Sequence, residues 1–336
     1  MRLLVIGGTR FIGLSAVNHF VAAGHDVIVF NRGETEVDLP AGVERITGDL
    51  WHLSDHATEL EALSPDAVVH MMLLTGKQTQ HTVEVLAGVT DRLVAISSGD
   101  VYRMYARING TEPGPADPTP VDEDGPLRER HYPYRDMAEG PDDYRYDYDK
   151  IEVETAATES DLATTIMRLP MVYGPRDYQR RLWSYHKRMA DGRPAILLDT
   201  RLTDWRASRC FVDDAGHAIA RAATSPSASD RIYNVAEHPA PTELEWVQMI
   251  GEVAGWEGDI VPVEPDLLPE PLQTDPRGQD LYMDSTRIRA ELGFVEPVTR
   301  REAIARTIEW DLAHPPDSHL DPFDYSAEDA VLEALG

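Results

Sequence analysis

Cysteine is nearly absent from this chain of 336 residues, where Cys210 stands alone. One thiol excludes an internal disulfide framework and cannot build a thiolate metal cluster. Flanked by Arg209 and Phe211, it reads as a small buried residue rather than a nucleophile. Long apolar runs are also missing: the stretches 3–6 and 67–74 fall far short of the ~20 residues that a bilayer span needs. Met1 leads straight into a strand pattern rather than a signal peptide, so the expectation is a cytoplasmic protein with no membrane partner. No metal is expected either. His52 and His56 have the spacing of a helical metal pair, but no zinc signature accompanies them, and they read as solvated surface residues.

Positive charge is the third scarcity. Lysine occurs only at 77, 150 and 187, and the formal net charge is −28. Such a field repels nucleic acid, which is not expected as a partner. The carboxylates are spread along the chain rather than gathered into a tail. A GC-rich genome would favour arginine over lysine, and a high-salt cytoplasm would favour a dense carboxylate surface whose self-repulsion salt screens. With 42% apolar and 27% charged residues, the composition is that of a folded globular chain.

What is present is an alternation of short β-branched runs with helical patterns, the signature of a parallel sheet with crossover helices. Strands are expected over 2–6, 26–30, 43–47, 67–70, 93–97 and 164–168, and helices over 11–23, 54–63, 78–87 and 144–158. The fold class is therefore α/β, a doubly wound parallel sheet whose ligands sit at the carboxyl ends of the strands. Residues 1–175 would form a dinucleotide-binding domain, with the Pro-, Gly- and acid-rich segment 103–143 inserted as a partly ordered flap. Residues 176–336 would form a smaller α/β substrate domain, with about 205–236 returning to the first. Thr242 and Glu245 match a capping box that opens a helix to about 254. The Pro/Asp-rich tail 314–325 reads as irregular chain before a short acidic helix.

After the first strand, Gly7-Gly8-Thr9-Arg10-Phe11-Ile12-Gly13 opens a helix. The first glycine permits a tight turn, the helix N-terminus offers N–H groups to a pyrophosphate, and Gly13 lets helix and strand pack closely. At the end of the second strand, Asn31-Arg32 replaces the acidic residue that would bind the ribose of NAD. A carboxylate there would repel a 2′-phosphate, whereas Asn31, Arg32 and the nearby Arg10 would accept it. NADP is expected as cofactor, with NAD as the alternative.

Further stretches complete a pattern: Gly48-Asp49-Leu50, Ser97 to Tyr102, Tyr146-Asp147-Tyr148-Asp149-Lys150, Arg168 to Pro175, Arg209 to Asp214 and Asp284 to Gly293. Together with the glycine turn, they resemble the extended short-chain dehydrogenase/reductase family of NAD-dependent epimerases and dehydratases, across nearly the whole chain. The resemblance implies Ser98, Tyr146 and Lys150 as catalytic residues. On one helix Tyr146 and Lys150 would share a face, with the ammonium lowering the phenol's pKa. It further implies cofactor contacts from Gly7, Thr9, Arg10, Phe11, Ile12, Gly13, Asn31, Arg32, Asp49, Leu50, Met71, Met72, Tyr146, Lys150 and Pro170. Ser98, Asp100 and Arg209 would meet the substrate, Arg209 through a phosphate. A homodimer is implied as well.

Arg10 in the glycine turn points to an atypical branch of that family, which includes chloroplast stem-loop RNA-binding proteins. His70-Met71-Met72 replaces the usual small residues after the fourth strand, and Gly99-Asp100 replaces the Asp-Glu pair of the 4,6-dehydratases. Pro170 stands where many nucleotide-sugar epimerases carry Asn. The expected activity is Tyr-assisted hydride transfer, as epimerase or carbonyl/alcohol oxidoreductase, on a sugar-like or nucleotide-sugar small molecule. The alternative is a non-enzymatic dinucleotide sensor or RNA binder. If the acidic surface is a salt adaptation, the urea midpoint rises from dilute buffer to molar KCl; equal stability in both contradicts that reading.

Overall fold

The computed structural model describes residues 1–316 and 323–336, so the middle of the expected irregular tail, 317–322, lies outside the described residues. From the N-terminus, β1 (Arg2–Ile6), α1 (Phe11–Ala22), β2 (Asp26–Asn31), β3 (Glu44–Thr47), α2 (Ala57–Leu63), β4 (Ala67–His70), α3 (Gly76–Leu86) and β5 (Arg92–Ser98) follow the expected alternation. The chain continues through α4 (Arg103–Ile108), α5 (Tyr144–Asp147), α6 (Lys150–Thr158), β6 (Ala163–Leu169) and β7 (Met171–Tyr173). Beyond these lie α7 (Trp183–Ala190), β8 (Ala195–Asp199), β9 (Arg209–Phe211), α8 (Val212–Thr224), β10 (Arg231–Asn234), α9 (Glu243–Ala254), β11 (Asp259–Val263), α10 (Thr286–Leu292), α11 (Arg300–Ala313) and α12 (Tyr325–Leu335).

Among the described residues, seven parallel strands form one sheet in the order β10-β6-β5-β4-β1-β2-β3. Its central strands are apolar at consecutive positions because both faces are covered. Leu3, Val5, Val29 and Val94 pack with Ala16, Val17 and Phe20 of α1 and with Ala215 and Ile219 of α8. On the other face Leu4, Ile6, Phe30 and Val68 pack with Leu60, Leu86 and Val153. The strand order reverses between β1 and β4, which opens a crevice at their carboxyl ends.

The first-face core runs on without a break into Trp246, Val247 and Ile250 of α9. That helix opens on the expected capping box: Thr242 Oγ1 accepts from Glu245 N at 3.1 Å, and Glu245 Oε2 accepts from Thr242 N at 2.7 Å. Two short parallel pairs, β7 with β9 and β8 with β11, build the second half. The acidic terminal helix α12 is held there by a buried pair, Arg188 Nη2 to Glu328 Oε1 at 2.6 Å.

Three expectations change. The helix foreseen over 144–158 is two helices, broken at Tyr148 and Asp149, both extended (ψ 121° and 111°). The helix foreseen over 54–63 begins only at Ala57, after a 3-10 turn over Leu50–His56. His56 is half-buried rather than fully solvated: its ring stands edge-on to Phe30 at 5.1 Å, while Nδ1 meets the exposed Glu59 at 3.1 Å. Helices α1 and α8 cross closely at Gly216, where a Cβ would lie 2.2 Å from Ser15 Oγ and 2.7 Å from Ser15 backbone carbon. Gly216→Val is expected to cost about 3 kcal/mol in urea unfolding. Gly88→Ala, whose Cβ meets nothing within 4 Å, serves as the near-neutral control.

Candidate active site

The turn after β1 is shaped for close approach. Gly7 has φ +92°, and a Cβ on it would stand 3.2 Å from both Met71 Cβ and Met72 Cγ. A Cβ on Gly13 would fall 2.4 Å from the Gly7 carbonyl oxygen, so only glycine lets α1 start against this turn. No side chain caps the first turn of α1, which leaves Phe11, Ile12 and Gly13 to present N–H groups at the positive end of the helix dipole. Thr9 is buried beside them. Met71 and Met72 are the wall opposite the turn, and Pro170 joins β6 to β7 at the same edge of the sheet.

At the end of β2, Asn31 Oδ1 accepts from Gly33 N at 2.7 Å, while its buried Nδ2 has no partner among the described residues. Arg10 Nε donates to Thr35 Oγ1 at 2.8 Å, and Arg32 pairs in the open with Glu34 at 3.1 Å. An exposed pair of that kind is weak and can be exchanged for another anion. Asp49 caps the following 3-10 turn by accepting from Trp51 N at 3.0 Å, and Leu50 packs partly into the core behind it.

At the end of β5, Ser98 Oγ accepts from Asp100 N at 3.2 Å. Asp100 is buried; its Oδ2 accepts from Tyr148 Oη at 2.8 Å and Tyr134 Oη at 3.3 Å, and its Oδ1 has no partner among the described residues. Burial pushes this carboxyl up, against the pull of Arg128, Tyr148 and Lys150. Lys150 is buried too. Its Nζ donates to the carbonyls of Leu73 at 2.5 Å and Ile96 at 2.9 Å, and burial pushes it down to about 8. His70, at the end of β4, is pushed down to about 3 by burial and by Lys150, and its Nε2 has no partner among the described residues.

The break before α6 decides which tyrosine meets this group. Asp149, fully buried, caps α6 by accepting from Ile151 N at 2.9 Å. It also accepts from Arg128 Nη2 at 2.6 Å and Tyr132 N at 2.8 Å. Tyr146 and Lys150 consequently share no helical face, which corrects the expected geometry. The Tyr146 ring lies beneath the Arg135 guanidinium at 4.6 Å, and its carbonyl accepts from Arg135 Nε at 2.9 Å. Tyr148 takes the position on Asp100, with the Lys150 ammonium 5.9 Å from its ring centre. The sequence pattern set Tyr148 aside and gave Tyr134 and Arg128 no role beyond their place in the 103–143 flap. Asp149 followed by Glu152 has the spacing of a helix start, and it was the available signal.

Arg209 is buried and already engaged. Its Nη2 is bonded to Glu243 Oε2 and its guanidinium stacks 4.6 Å from the Trp246 ring, so a substrate phosphate would have to displace a buried carboxylate. Cys210 is buried as read. Behind the site, Arg168 grips Glu154 at 2.9 and 2.7 Å, and Ser97 Oγ donates to Glu154 Oε1 at 2.5 Å, which ties β5 and β6 to α6.

A doubly wound sheet with a glycine-rich turn and a buried lysine at its carboxyl edge defines a Rossmann-like α/β protein. The profile described as NAD dependent epimerase/dehydratase family matches residues 3–236, and the chain belongs to that family. It is 29% identical over 252 residues to 2′-dehydrokanamycin reductase of Streptomyces kanamyceticus, matching 72% of this chain and 63% of that protein. The chloroplast stem-loop binding protein of 41 kDa b from Arabidopsis thaliana is 23% identical over 247 residues, 70% of this chain and 58% of that one. This chain thus spans under two thirds of either relative. MoeE5, solved with UDP-glucose and NAD, superposes with a TM-score of 0.65 at 22% identity, covering 93% of this chain and 99% of that one.

The buried ammonium has a measurable consequence. Folded Lys150 releases its proton near pH 8, whereas the unfolded chain keeps it to the ordinary 10.5. The unfolded state therefore holds more protons in that window, and this group makes stability rise with pH there. Urea unfolding at pH 8 and pH 10 should show wild type gaining on Lys150→Met by about 2 kcal/mol. Parallel behaviour of the two would contradict the burial of a titrating ammonium.

Proposed function

We propose that this protein is an NADP-dependent oxidoreductase or epimerase acting at a carbinol or carbonyl carbon of a sugar-like or nucleotide-sugar substrate. The observation that carries the reading is Lys150, a buried ammonium held on the carbonyls of Leu73 and Ile96, in the same cluster as the Asp100 carboxyl and Ser98. Such a charge stabilises oxyanion character as a proton leaves or reaches a substrate oxygen. The 1–175 portion would hold the dinucleotide and the 176–336 portion would shape the substrate site.

The residues present fit a dinucleotide: Gly7 and Gly13 leave a cradle that a Cβ would fill, and the uncapped first turn of α1 faces it. When bound, the dinucleotide supplies or accepts the hydride. Gly7, Thr9, Phe11, Ile12 and Gly13 would hold its pyrophosphate, Asp49 and Leu50 the adenine side, and Met71, Met72 and Pro170 the far wall. Ser98 orients the substrate oxygen, and a tyrosine of the 146–150 segment exchanges its proton. The relative in Streptomyces kanamyceticus, named a 2′-dehydrokanamycin reductase, and the UDP-glucose in the MoeE5 structure support a polyhydroxylated substrate.

NADP is favoured over NAD because Asn31 carries no charge and its Nδ2 has no partner among the described residues, with Arg32 next in sequence and Arg10 bonded to Thr35 of the same loop. Titration of the protein with NADPH and NADH by nucleotide fluorescence should give a Kd at least tenfold lower for NADPH. Asn31→Asp should erase that preference. Preference of the wild type for NADH refutes the NADP assignment, and binding of neither refutes the whole reading.

A further inference from the structure

We propose that the proton in this site travels along a relay from Asp100 through Tyr148 to the substrate oxygen, and that Tyr146 lies outside it. The inference rests on the reading that the chain moves a hydride at a carbinol or carbonyl carbon. Tyr148 Oη donates to Asp100 Oδ2 at 2.8 Å, and Asp100 follows Ser98 by two residues at the end of β5. Tyr146 is held elsewhere, under the guanidinium of Arg135, which also covers Tyr132 at 3.8 Å.

The surroundings explain why a relay is required. Arg128 and Tyr134 face Asp100 from the 103–143 segment, Tyr105 from α4, Tyr148 from the break before α6 and Lys150 from α6. His70 faces Lys150 from β4. Burial and the neighbouring Asp100 push the Tyr148 phenol well above its ordinary range, so a free phenolate is costly there. Asp100 is pushed up from the ordinary carboxyl range, which suits it to hold a proton that Tyr148 cannot spare.

In the reducing direction, a bound reduced dinucleotide would supply hydride to the carbonyl carbon, and the C–O π pair would move onto oxygen. That oxygen takes the Tyr148 Oη proton as Tyr148 takes the Asp100 carboxyl proton. Asp100 ends as a carboxylate and the product as an alcohol. Oxidation runs the same transfers backwards, from the resting arrangement in which Tyr148 donates to Asp100 Oδ2.

Two measurements test the relay. NADPH-dependent reduction of methylglyoxal, used as a small keto probe, should fall at least 100-fold in Tyr148→Phe and at least tenfold less in Tyr146→Phe. The fall in rate with rising pH that reports Asp100 should vanish in Asp100→Asn. A greater loss in Tyr146→Phe overturns the proposal. The second measurement needs no substrate: 13C NMR of the protein labelled at tyrosine Cζ, titrated from pH 4 to 9. The Tyr148 resonance, assigned by its loss in Tyr148→Phe, should move with the ionisation of Asp100 and stay fixed in Asp100→Asn. A Tyr148 resonance indifferent to Asp100 overturns the relay. Failure to bind NADPH would instead refute the oxidoreductase reading and leave the NMR result standing.

Discussion

A single buried carboxylate, Asp149, organises the reactive end of this protein. It satisfies the first turn of α6, receives Arg128 and accepts from the Tyr132 amide, so one side chain starts a helix and anchors the 103–143 segment. Breaking the chain at this point lifts Lys150 to the first position of α6 and turns Tyr148 onto Asp100. Removing one partner of such a buried, hydrogen-bonded pair is costly, because the other charge is then stranded. The segment 103–143 is thereby fixed to the site by an interaction of the site itself.

The dinucleotide end depends on a different constraint, the absence of side chains. Backbone meets backbone where Gly13 approaches the Gly7 carbonyl, and Met71 and Met72 close in from β4. The two ends are joined by the sheet, since β1, β4 and β5 are hydrogen-bonded neighbours whose carboxyl ends carry Gly7, His70 and Ser98. The Arg168–Glu154 pair then locks α6 to β5 and β6, fixing the register between Lys150 and Ser98.

The fold was legible where burial on both faces forced consecutive apolar residues, as in 3–6, 27–30 and 93–96, and where a glycine turn followed the first such run. The capping box at Thr242 was legible because its bonds are local. What escaped was decided by distant partners. An apolar and polar pattern consistent with one helix runs across 144–158, and it splits where Asp149 caps α6 while buried against Arg128 and the Tyr132 amide. Arg209 likewise looks like any arginine until Glu243 and Trp246, more than thirty residues on, claim it. Local spacing proposes which groups could meet; tertiary bonds decide which do.

Every role assigned to this site depends on a nicotinamide dinucleotide seated in the glycine cradle. Mass spectrometry of the purified protein under native conditions measures this directly, without a known substrate. The account predicts a retained mass that exact-mass release identifies as NADP or NADPH, lost when Gly13 is replaced by valine in a variant that still folds. A bare chain that also takes up neither NADP nor NAD on addition would contradict it.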